Sequence, residues 1–317
     1  MARIAILDDY QRVALKLADW SGLTPDHQIE VFAAPFANLD ATAEALAPFE
    51  IVCAMRERTE FSRALFDRLP NLKLLVTTGL RNAAIDLDAA AARGVVVSGT
   101  TGPGHATAEL AIGLMLALSR NIVPEALAMR QGGWQTTVGR DLRGRTLGLL
   151  GLGKLGTEMT GFARAFGMPV LAWSQNLTSE AAAKVGAIRV EKAELFQRAD
   201  IISIHMKLSE RSTGLVGAAE LALMKADALL VNTSRGPIVD TAALVAALTA
   251  GRIAGAALDV YDHEPLPPND PLRSVPRLLL TPHLGYVTEE TYRIFYRGTV
   301  TAIAAWLAGQ PVHVLRA

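Results

Sequence analysis

The chain has 317 residues, half of them apolar and a fifth charged, which allows two domains of ordinary size with buried cores. Its 31 basic residues balance 31 acidic residues, and this balance argues against nucleic acid or an anionic membrane as a partner. The first residues enter a strand pattern without a signal-peptide pattern, and the longest apolar helical stretch, at residues 108–118, is too short to span a bilayer. With a single cysteine, Cys53, in an apolar run, these features predict a cytoplasmic protein.

Strand and helix patterns alternate through the first hundred residues. Apolar runs predict short strands, separated by helical patterns, at residues 3–7, 29–32, 51–55, 72–78 and 95–98. This alternation is typical of a parallel sheet covered by helices on both faces, so the segment is predicted to be a small flavodoxin-like α/β domain. Residues 99–104, a run of Gly, Thr and Pro, break the periodicity and mark the first domain boundary.

A glycine-rich segment follows a strand pattern at residues 146–150 and opens a helical pattern. Gly151 permits a tight turn, Gly153 lets the backbone approach a pyrophosphate, and Gly156 lets the helix pack close to the strand. The phosphates would sit at the helix N-terminus, where unpaired N–H groups and the helix dipole favour anions. Because the strand and the helix both flank the glycines, a dinucleotide site is favoured over an ordinary turn.

Further strands are predicted at residues 170–173, 201–205, 228–233, 254–260 and 278–281. With the strand before the glycines, they make the six strands of a doubly wound dinucleotide-binding domain. A final helix at residues 289–307 falls outside this sheet and is predicted to return to the first domain. The predicted fold is therefore α/β with two Rossmann-like domains, a discontinuous substrate domain (1–99 and 285–317) and a dinucleotide-binding domain (100–284).

Ligands of an open parallel sheet bind at the carboxyl ends of its strands. This rule selects the polar residues that follow predicted strands, which are Ser174, His205, Arg235, Asp259, Glu264 and His283. Arg235, Glu264 and His283 have the chemistry that oxidation or reduction of a 2-hydroxy acid requires. The His, Cys, Asp and Glu residues show no metal-ligand spacing, so no metal is expected.

Each of these three residues has a functional and a structural interpretation. Arg235 can hold a substrate carboxylate with two hydrogen bonds and polarise the adjacent carbonyl, or it can be a surface arginine in a loop. His283 can donate a proton to a ketone or remove one from an alcohol, or it can be a structural imidazole. Glu264 can hold the tautomer of His283 and stabilise its imidazolium, and a solvated loop carboxylate is an equal alternative. His263, next to Glu264, is expected to point away from the site.

The order of these residues after the glycines resembles that of the D-isomer-specific 2-hydroxyacid dehydrogenases. The resemblance covers nearly the whole chain, because several separate segments are similar to motifs of the family. These segments are the substrate-domain loop (82–86), the start of the interdomain helix (107–111), the cofactor loop (151–156), the arginine motif (232–240), the glutamate motif (257–260 with 264–265) and the histidine motif (281–285). The resemblance implies an NAD(P)-dependent enzyme that interconverts a small 2-keto acid and its D-2-hydroxy acid, like a glyoxylate/hydroxypyruvate reductase.

The resemblance also implies roles for individual residues. Arg235 would anchor the substrate, His283 would be the acid and base, and Glu264 would be its partner. The backbone of Gly79 and Leu80 would hold the substrate carboxylate from the first domain. Asp259 would contact the nicotinamide amide, while Thr233 and His205 would line the cofactor channel. The residues implied in cofactor binding are Gly151, Gly153, Lys154, Leu155, Gly156, Ser174, Gln175, His205, Thr233, Ser234, Arg235, Asp259, His283 and Gly285.

Family members are usually dimers built on their cofactor domains, and they close by a hinge motion that excludes water from hydride transfer. The resemblance therefore implies a homodimer through the dinucleotide-binding domain, with hinges near residues 99–103 and 284–288. The helix predicted at residues 105–120 is apolar around much of its circumference, which is consistent with burial by a second subunit.

The chain departs from the family pattern at two places. Tyr286 follows Gly285, where the family commonly has a small residue, and its ring either narrows the pocket beside His283 or packs against the hinge. An NAD-specific site has Asp or Glu about 20 residues beyond the glycines, whereas residues 174–179 contain no acid. Nothing in this segment would repel a 2′-phosphate, so the site is predicted to admit NADP(H) as well as NAD(H).

Two alternatives stay open. A D-3-phosphoglycerate dehydrogenase-like enzyme is less favoured because the chain ends without a regulatory domain. Independently of this choice, Arg56 and Arg58 either meet a second anionic group on the substrate or are exposed arginines near a hinge. A dinucleotide-sensing corepressor that binds protein partners shares the fold, but such a protein would not need the intact acid and base residues.

Overall fold

The computed structural model describes residues 1–316. It contains two compact units: unit 1 consists of Met1–Pro103 and the chain from Val287 onward, and unit 2 consists of Gly104–Tyr286. The chain leaves unit 1 four residues later than the predicted boundary at residue 99. Within unit 1, the amide of Thr100 donates to the carbonyl of Thr77 at 3.1 Å, and Gly102 packs against Phe295. These contacts keep the segment after residue 99 with unit 1.

Unit 1 contains five strands and five helices. The strands are β1 (Arg3–Ile6), β2 (Gln28–Val31), β3 (Ile51–Ala54), β4 (Leu74–Thr77) and β5 (Val96–Gly99), and the helices are α1 (Ala14–Leu17), α2 (Leu39–Leu46), α3 (Arg63–Phe66), α4 (Leu87–Ala92) and α12 (Glu289–Leu307). All strand pairs are parallel and the order is β2-β1-β3-β4-β5, which is the predicted flavodoxin-like order. The C-terminal helix α12 lies along β4 and β5 and contacts α1.

Unit 2 is built on a second parallel sheet. Its strands are β6 (Leu147–Leu150), β7 (Val170–Trp173), β8 (Ile188–Arg189), β9 (Ile201–Ile204), β10 (Leu229–Asn232), β11 (Gly255–Leu258) and β12 (Leu278–Leu280). The strand order is β12-β11-β10-β9-β6-β7-β8. Counted from β6, this is the doubly wound order 3-2-1-4-5-6 with β12 added beyond the sixth strand.

The prediction of six strands in this sheet is wrong by one, because β8 was missed. This strand has two residues at the edge of the sheet, and Ile188 is 59% exposed. So short a segment on an exposed edge carries neither a buried apolar run nor an alternation that a sequence pattern can reveal. The strand predicted as the sixth of this sheet, β12, is its seventh in chain order.

Helices cover both faces of the unit 2 sheet. They are α5 (Ala106–Ser119), α6 (Ile122–Arg130), α7 (Lys154–Ala165), α8 (Ser179–Lys184), α9 (Lys192–Arg198), α10 (Ala218–Leu223) and α11 (Thr241–Thr249), with 3₁₀ turns at Gly236–Ile238 and Pro271–Ser274. One buried cluster joins the sheet to α9, α10 and α11, and a second joins its other face to α5 and α7. This two-sided burial explains why the central strands are continuous apolar runs.

Among the described residues, no single helix has the length and apolar composition of a membrane span, while α5 and α6 pass that test only as a pair bent by 62°.

Candidate active site

The carboxyl edge of the unit 2 sheet collects the residues that sequence analysis selected. The glycine-rich loop follows β6, and Ser174 and His205 follow the two strands on either side of it, β7 and β9. Arg235, Glu264 and His283 lie in the loops after β10, β11 and β12 respectively. These three strands are neighbours in the sheet, with β11 between the other two. Because all the strands are parallel, these loops emerge at one edge of the sheet.

The glycine-rich loop turns tightly and leaves space at the start of α7. Gly151 has φ of +98°, and a Cβ on it would lie 2.4 Å from the carbonyl oxygen of His205. A Cβ on Gly156 would lie 2.3 Å from the carbonyl oxygen of Gly151, so this first turn of α7 requires glycine. By contrast, a Cβ on Gly153 would meet no atom within 4 Å among the described residues. The chain therefore holds open space at the N-terminus of α7, where Lys154 and Leu155 begin the helix.

Hydrogen bonds hold the loop that carries Arg235. The Asn232 side-chain amide donates to the carbonyl of Arg235 at 2.9 Å, and its oxygen accepts from the amide of Ser234 at 3.0 Å. The Ser234 hydroxyl donates to the carbonyl of Ile204 at 2.7 Å, which ties this loop to the end of β9. The guanidinium of Arg235 adds one further bond, because it donates to the carbonyl of Ser234 at 2.7 Å.

His283 and Glu264 form a pair. Nδ1 of His283 lies 2.5 Å from Oε2 of Glu264, and their side chains are 20% and 30% exposed. The other carboxylate oxygen, Oε1, accepts from the backbone amide of Tyr261 at 2.9 Å. Glu264 is therefore held at both oxygens, unlike a freely solvated loop carboxylate. The ring of Tyr286 meets that of His283 edge to face, with 5.2 Å between centroids.

His283 has an unusual backbone conformation, with φ of +53°. Histidine is tolerated there better than most residues, but such a conformation persists only where the surroundings hold it. Asp259 supplies that support, because its carboxylate accepts from the amides of Leu284 at 2.7 Å and Gly285 at 2.9 Å. The Thr107 hydroxyl donates to the carbonyl of Gly285 at 2.8 Å and fixes the loop from α5.

Asp259 is fully buried, and its carboxylate also accepts from the Thr281 hydroxyl at 2.6 Å. Burial raises the pKa of Asp259, while the bonds from Thr281 and Leu284 and the charge of His283 act in the opposite direction. The family resemblance implies a contact of Asp259 with the nicotinamide amide, whereas its bonds to the His283 loop have no signal in the sequence. The role at the nicotinamide stays a prediction.

His205 is a neutral imidazole in the folded chain. Its Nε2 lies 2.9 Å from the Ser203 hydroxyl, and burial lowers its pKa from 6.5 to about 4. Between about pH 6.5 and pH 4, His205 is therefore protonated in the unfolded chain and neutral in the folded chain. The resulting stabilisation is complete above this pH and is lost as the pH falls towards 4.

Wild-type protein should accordingly lose more stability than His205→Gln when the pH is lowered from about 7 to about 4.5. The lowered pKa of His205 allows the loss in the free energy of unfolding to be up to about 3 kcal/mol larger in wild type than in His205→Gln. Urea unfolding of both proteins at both pH values measures it, and His263→Gln is the matched control because His263 is exposed. Equal losses in wild type and His205→Gln would contradict the assignment.

The segment after β7 is polar and partly exposed. Gln175 Nε2 lies 3.5 Å from the carbonyl of Arg211, and the Thr178 hydroxyl caps α8 by accepting from the amide of Ala181 at 3.2 Å. Thr178 is thus already used within the fold. The structure brings the backbone of Arg211 to this segment, which could not be read from the sequence because the two are 36 residues apart.

In unit 1, three of the residues predicted near the substrate, Gly79, Arg56 and Arg58, are hydrogen-bonded within the unit. The amide of Gly79 donates to the Thr100 hydroxyl at 3.1 Å, whereas Leu80 is 49% exposed. Arg56 donates to the carbonyl of Thr78 at 3.1 Å, and Arg58 donates to the carbonyl of Asp8 at 2.7 Å and the Tyr292 hydroxyl at 3.2 Å.

Comparison with known proteins identifies the family. The family model for the NAD-binding domain of D-isomer-specific 2-hydroxyacid dehydrogenases matches residues 112–285, more than half of the chain. A glyoxylate reductase from Aeropyrum pernix is 39% identical over 237 residues, which cover 72% of this chain and 71% of the relative. The chain belongs to the D-isomer-specific 2-hydroxyacid dehydrogenase family.

Two further members of the family extend the match. D-3-phosphoglycerate dehydrogenase from Methanocaldococcus jannaschii is 33% identical over 95% of this chain, but the chain spans only 56% of the length of that relative. The crystal structure of a phosphoglycerate oxidoreductase from Vibrio cholerae has a TM-score of 0.93 and 38% identity, covering 98% of this chain and 100% of the other. The resemblance and the fold class predicted from sequence are confirmed, and the chain is a member of an oxidoreductase family.

The residues present fit the NAD(P) cofactor that the family's domain binds. The open space beside Gly153 lies at the start of α7, where a helix N-terminus favours a pyrophosphate. Among the described residues, two buried polar atoms further along the same edge have no hydrogen-bond partner: the Thr233 hydroxyl and Nδ1 of His205. Buried polar groups are normally paired, so these atoms are suited to a polar ligand at this edge.

Proposed function

We propose that this chain interconverts small 2-keto acids and D-2-hydroxy acids with NAD(P), as a glyoxylate/hydroxypyruvate reductase does. The observation that carries the proposal is the pair formed by Nδ1 of His283 and Oε2 of Glu264, 2.5 Å apart. Arg235 lies at the same edge of the sheet, two strands away. A cation for the substrate carboxylate, an imidazole for the proton and a carboxylate that orients the imidazole are the groups that this reaction needs.

A bound nicotinamide supplies or accepts the hydride. With Nδ1 directed to Glu264, Nε2 of His283 is the nitrogen that can give a proton to the ketone oxygen as the hydride reaches the carbonyl carbon. The imidazole becomes neutral in this step, and in the reverse direction it takes the hydroxyl proton and becomes an imidazolium that the Glu264 carboxylate stabilises. Arg235 holds the substrate carboxylate through two parallel hydrogen bonds and thereby orients the carbonyl.

Gly79 and Leu80 stay in the proposal as backbone contacts of the substrate carboxylate, with one refinement. Because the amide of Gly79 already donates to Thr100, we assign the carboxylate contact to the amide of Leu80. Gly79, with φ of +93°, sets the direction of the chain at this point.

Two relatives bear on the substrate. The glyoxylate reductase match supports a small 2-keto acid, since it covers 71% of that enzyme. The second candidate is oxidation of D-3-phosphoglycerate, which the whole-chain match to the phosphoglycerate oxidoreductase favours. The two candidates differ in a phosphate group, so a direct comparison of substrates separates them.

Oxidation of NADPH and NADH should be followed with glyoxylate, hydroxypyruvate, pyruvate and phenylpyruvate, and reduction of both oxidised cofactors with D-3-phosphoglycerate. We expect kcat/KM for glyoxylate or hydroxypyruvate to exceed that for phenylpyruvate by about tenfold or more, the discrimination that a pocket of limited size provides. NADPH should be used as well as NADH, because residues 174–179 contain no acid. Faster turnover of D-3-phosphoglycerate would favour the second candidate, and no turnover of any of these acids would contradict both.

We also propose a homodimer formed through unit 2. Apolar side chains on α6 and in the segment after it are exposed in the single chain, and contact with a second copy would cover them. They are Ile122, Val123, Leu127, Met129, Trp134 and Val138. The cytoplasmic location, and the expectation of no nucleic acid and no membrane as partner, stay predictions.

A further inference from the structure

Tyr261 lies between the two loops that carry Glu264 and His283. It follows β11 and is buried, with 9% of its surface exposed. Its backbone amide donates to Oε1 of Glu264 at 2.9 Å. Its hydroxyl reaches the carbonyls of Leu258, at 3.1 Å, and Thr281, at 2.8 Å. One residue therefore contacts the ends of both β11 and β12.

The carbonyl of Thr281 is where Tyr261 meets the backbone of His283. This oxygen accepts from the Tyr261 hydroxyl at 2.8 Å and from the amide of His283 at 3.0 Å. Because the amide of His283 binds this carbonyl, a displacement of the carbonyl moves the backbone from which the imidazole projects. The phenol of Tyr261 keeps its proton and can donate it to a hydrogen bond, since burial and the charges of Asp259 and Glu264 raise the pKa of Tyr261.

Tyr261 thus acts on both members of the pair. Its amide holds the carboxylate of Glu264 in place, and its hydroxyl holds the carbonyl of Thr281, which also accepts from the amide of His283. We propose that Tyr261 is a positioning residue that fixes the 2.5 Å approach of Glu264 Oε2 to His283 Nδ1. This inference rests on the proposed function, in which that pair handles the proton.

The test is Tyr261→Phe, which removes only the hydroxyl and keeps the ring and the backbone amide. We expect kcat for glyoxylate or hydroxypyruvate to fall by about tenfold and KM to change less than about twofold, because misplacement of the acid weakens the transition state and not ground-state binding. The matched control is Tyr296→Phe in unit 1, since the buried Tyr296 hydroxyl has no hydrogen-bond partner among the described residues. This control should keep wild-type kcat.

A double-mutant cycle separates positioning from a general loss of packing. In a Glu264→Gln background the pair is already disrupted, so Tyr261→Phe should lower kcat by less than about twofold further. A proton resonance far downfield, from the short bond at His283 Nδ1, should be present in wild type, absent in Glu264→Gln and shifted in Tyr261→Phe. The melting temperature of each variant sets an assay temperature at which all four proteins are folded.

The outcomes distinguish failure of the positioning role of Tyr261 from failure of the proposed function. Equal loss of kcat from Tyr261→Phe in both backgrounds would overturn the positioning role, as would wild-type kcat in the single variant. In those cases a large loss from Glu264→Gln alone would leave the proposed function intact. If Glu264→Gln itself keeps wild-type kcat, the roles of Glu264 and of Tyr261 at His283 are both overturned, whereas the proposed function is overturned only if wild type turns over none of the 2-keto acids.

Discussion

Replacing His283 by asparagine should lower kcat for 2-keto acid reduction by about a thousandfold, within the range of roughly 10²–10⁴ that one general acid contributes. Asparagine suits this position because it adopts positive φ readily, so the loop held by Asp259 should keep its path. The variant has no group that transfers a proton at neutral pH. The measurement is steady-state oxidation of NADPH or NADH, together with titration of the cofactor by fluorescence.

The affinity for reduced cofactor should stay within about threefold of wild type, because proton transfer is separate from binding of the dinucleotide. The matched control is His263→Asn, since His263 is exposed and next to Glu264 in the chain. Turnover by His283→Asn near the wild-type rate would remove His283 from the acid role. Loss of both turnover and cofactor binding would instead indicate that the loop had changed its structure.

Replacing Arg235 by glutamine should lower kcat/KM for the 2-keto acid by about 10²–10³-fold, the loss expected when one partner of a hydrogen-bonded charge pair is removed. Arg235→Lys should recover only part of this loss, because an ammonium keeps the charge but cannot form two parallel bonds to a carboxylate. The loop should keep its path in both variants although the bond from Arg235 to the carbonyl of Ser234 is altered, since the three bonds made by Asn232 and Ser234 are retained.

Kinetics with a series of substrates checks this role. A neutral analogue in which an amide replaces the substrate carboxylate should lose rate in wild type and lose little more in Arg235→Gln, because the interaction is already absent. Arg189→Gln is the control, since Arg189 lies on β8 at the far edge of the sheet and pairs with Glu191. An unchanged kcat/KM in Arg235→Gln would contradict the anchoring role.

The strands and the edge at which they end could be predicted from sequence because strands that are buried on both faces consist mostly of apolar residues. All four residues of β6, β9 and β10 are buried, so each appears as an apolar run, and the loops that follow them were located to within a few residues. The two-residue strand β8 has no such run, and its register against β7 depends on tertiary contacts.

The pairing of His283 with Glu264 was proposed from sequence, but the hydrogen bonds that orient the two side chains could not be predicted from it. Glu264 lies six residues beyond β11, and a loop of that length can present its side chain in many directions. The direction is set by Tyr261, whose amide binds the carboxylate, and by Asp259, which holds the loop of His283. A sequence pattern gives the identity of such residues and not the hydrogen bonds between loops that are far apart in the chain.

The discontinuity of unit 1 bears on how the chain is made. A ribosome delivers β1–β5 first and α12 only after the whole of unit 2 has been synthesised. Tyr292, Phe295, Tyr296 and Ile303 of α12 are buried in the finished protein, so the surface along β4 and β5 that the helix covers stays uncovered during most of synthesis. Exposed apolar surface of this kind recruits chaperones and promotes aggregation. Unit 2 is continuous in the chain and needs no later segment to complete its sheet, whereas unit 1 must wait for α12.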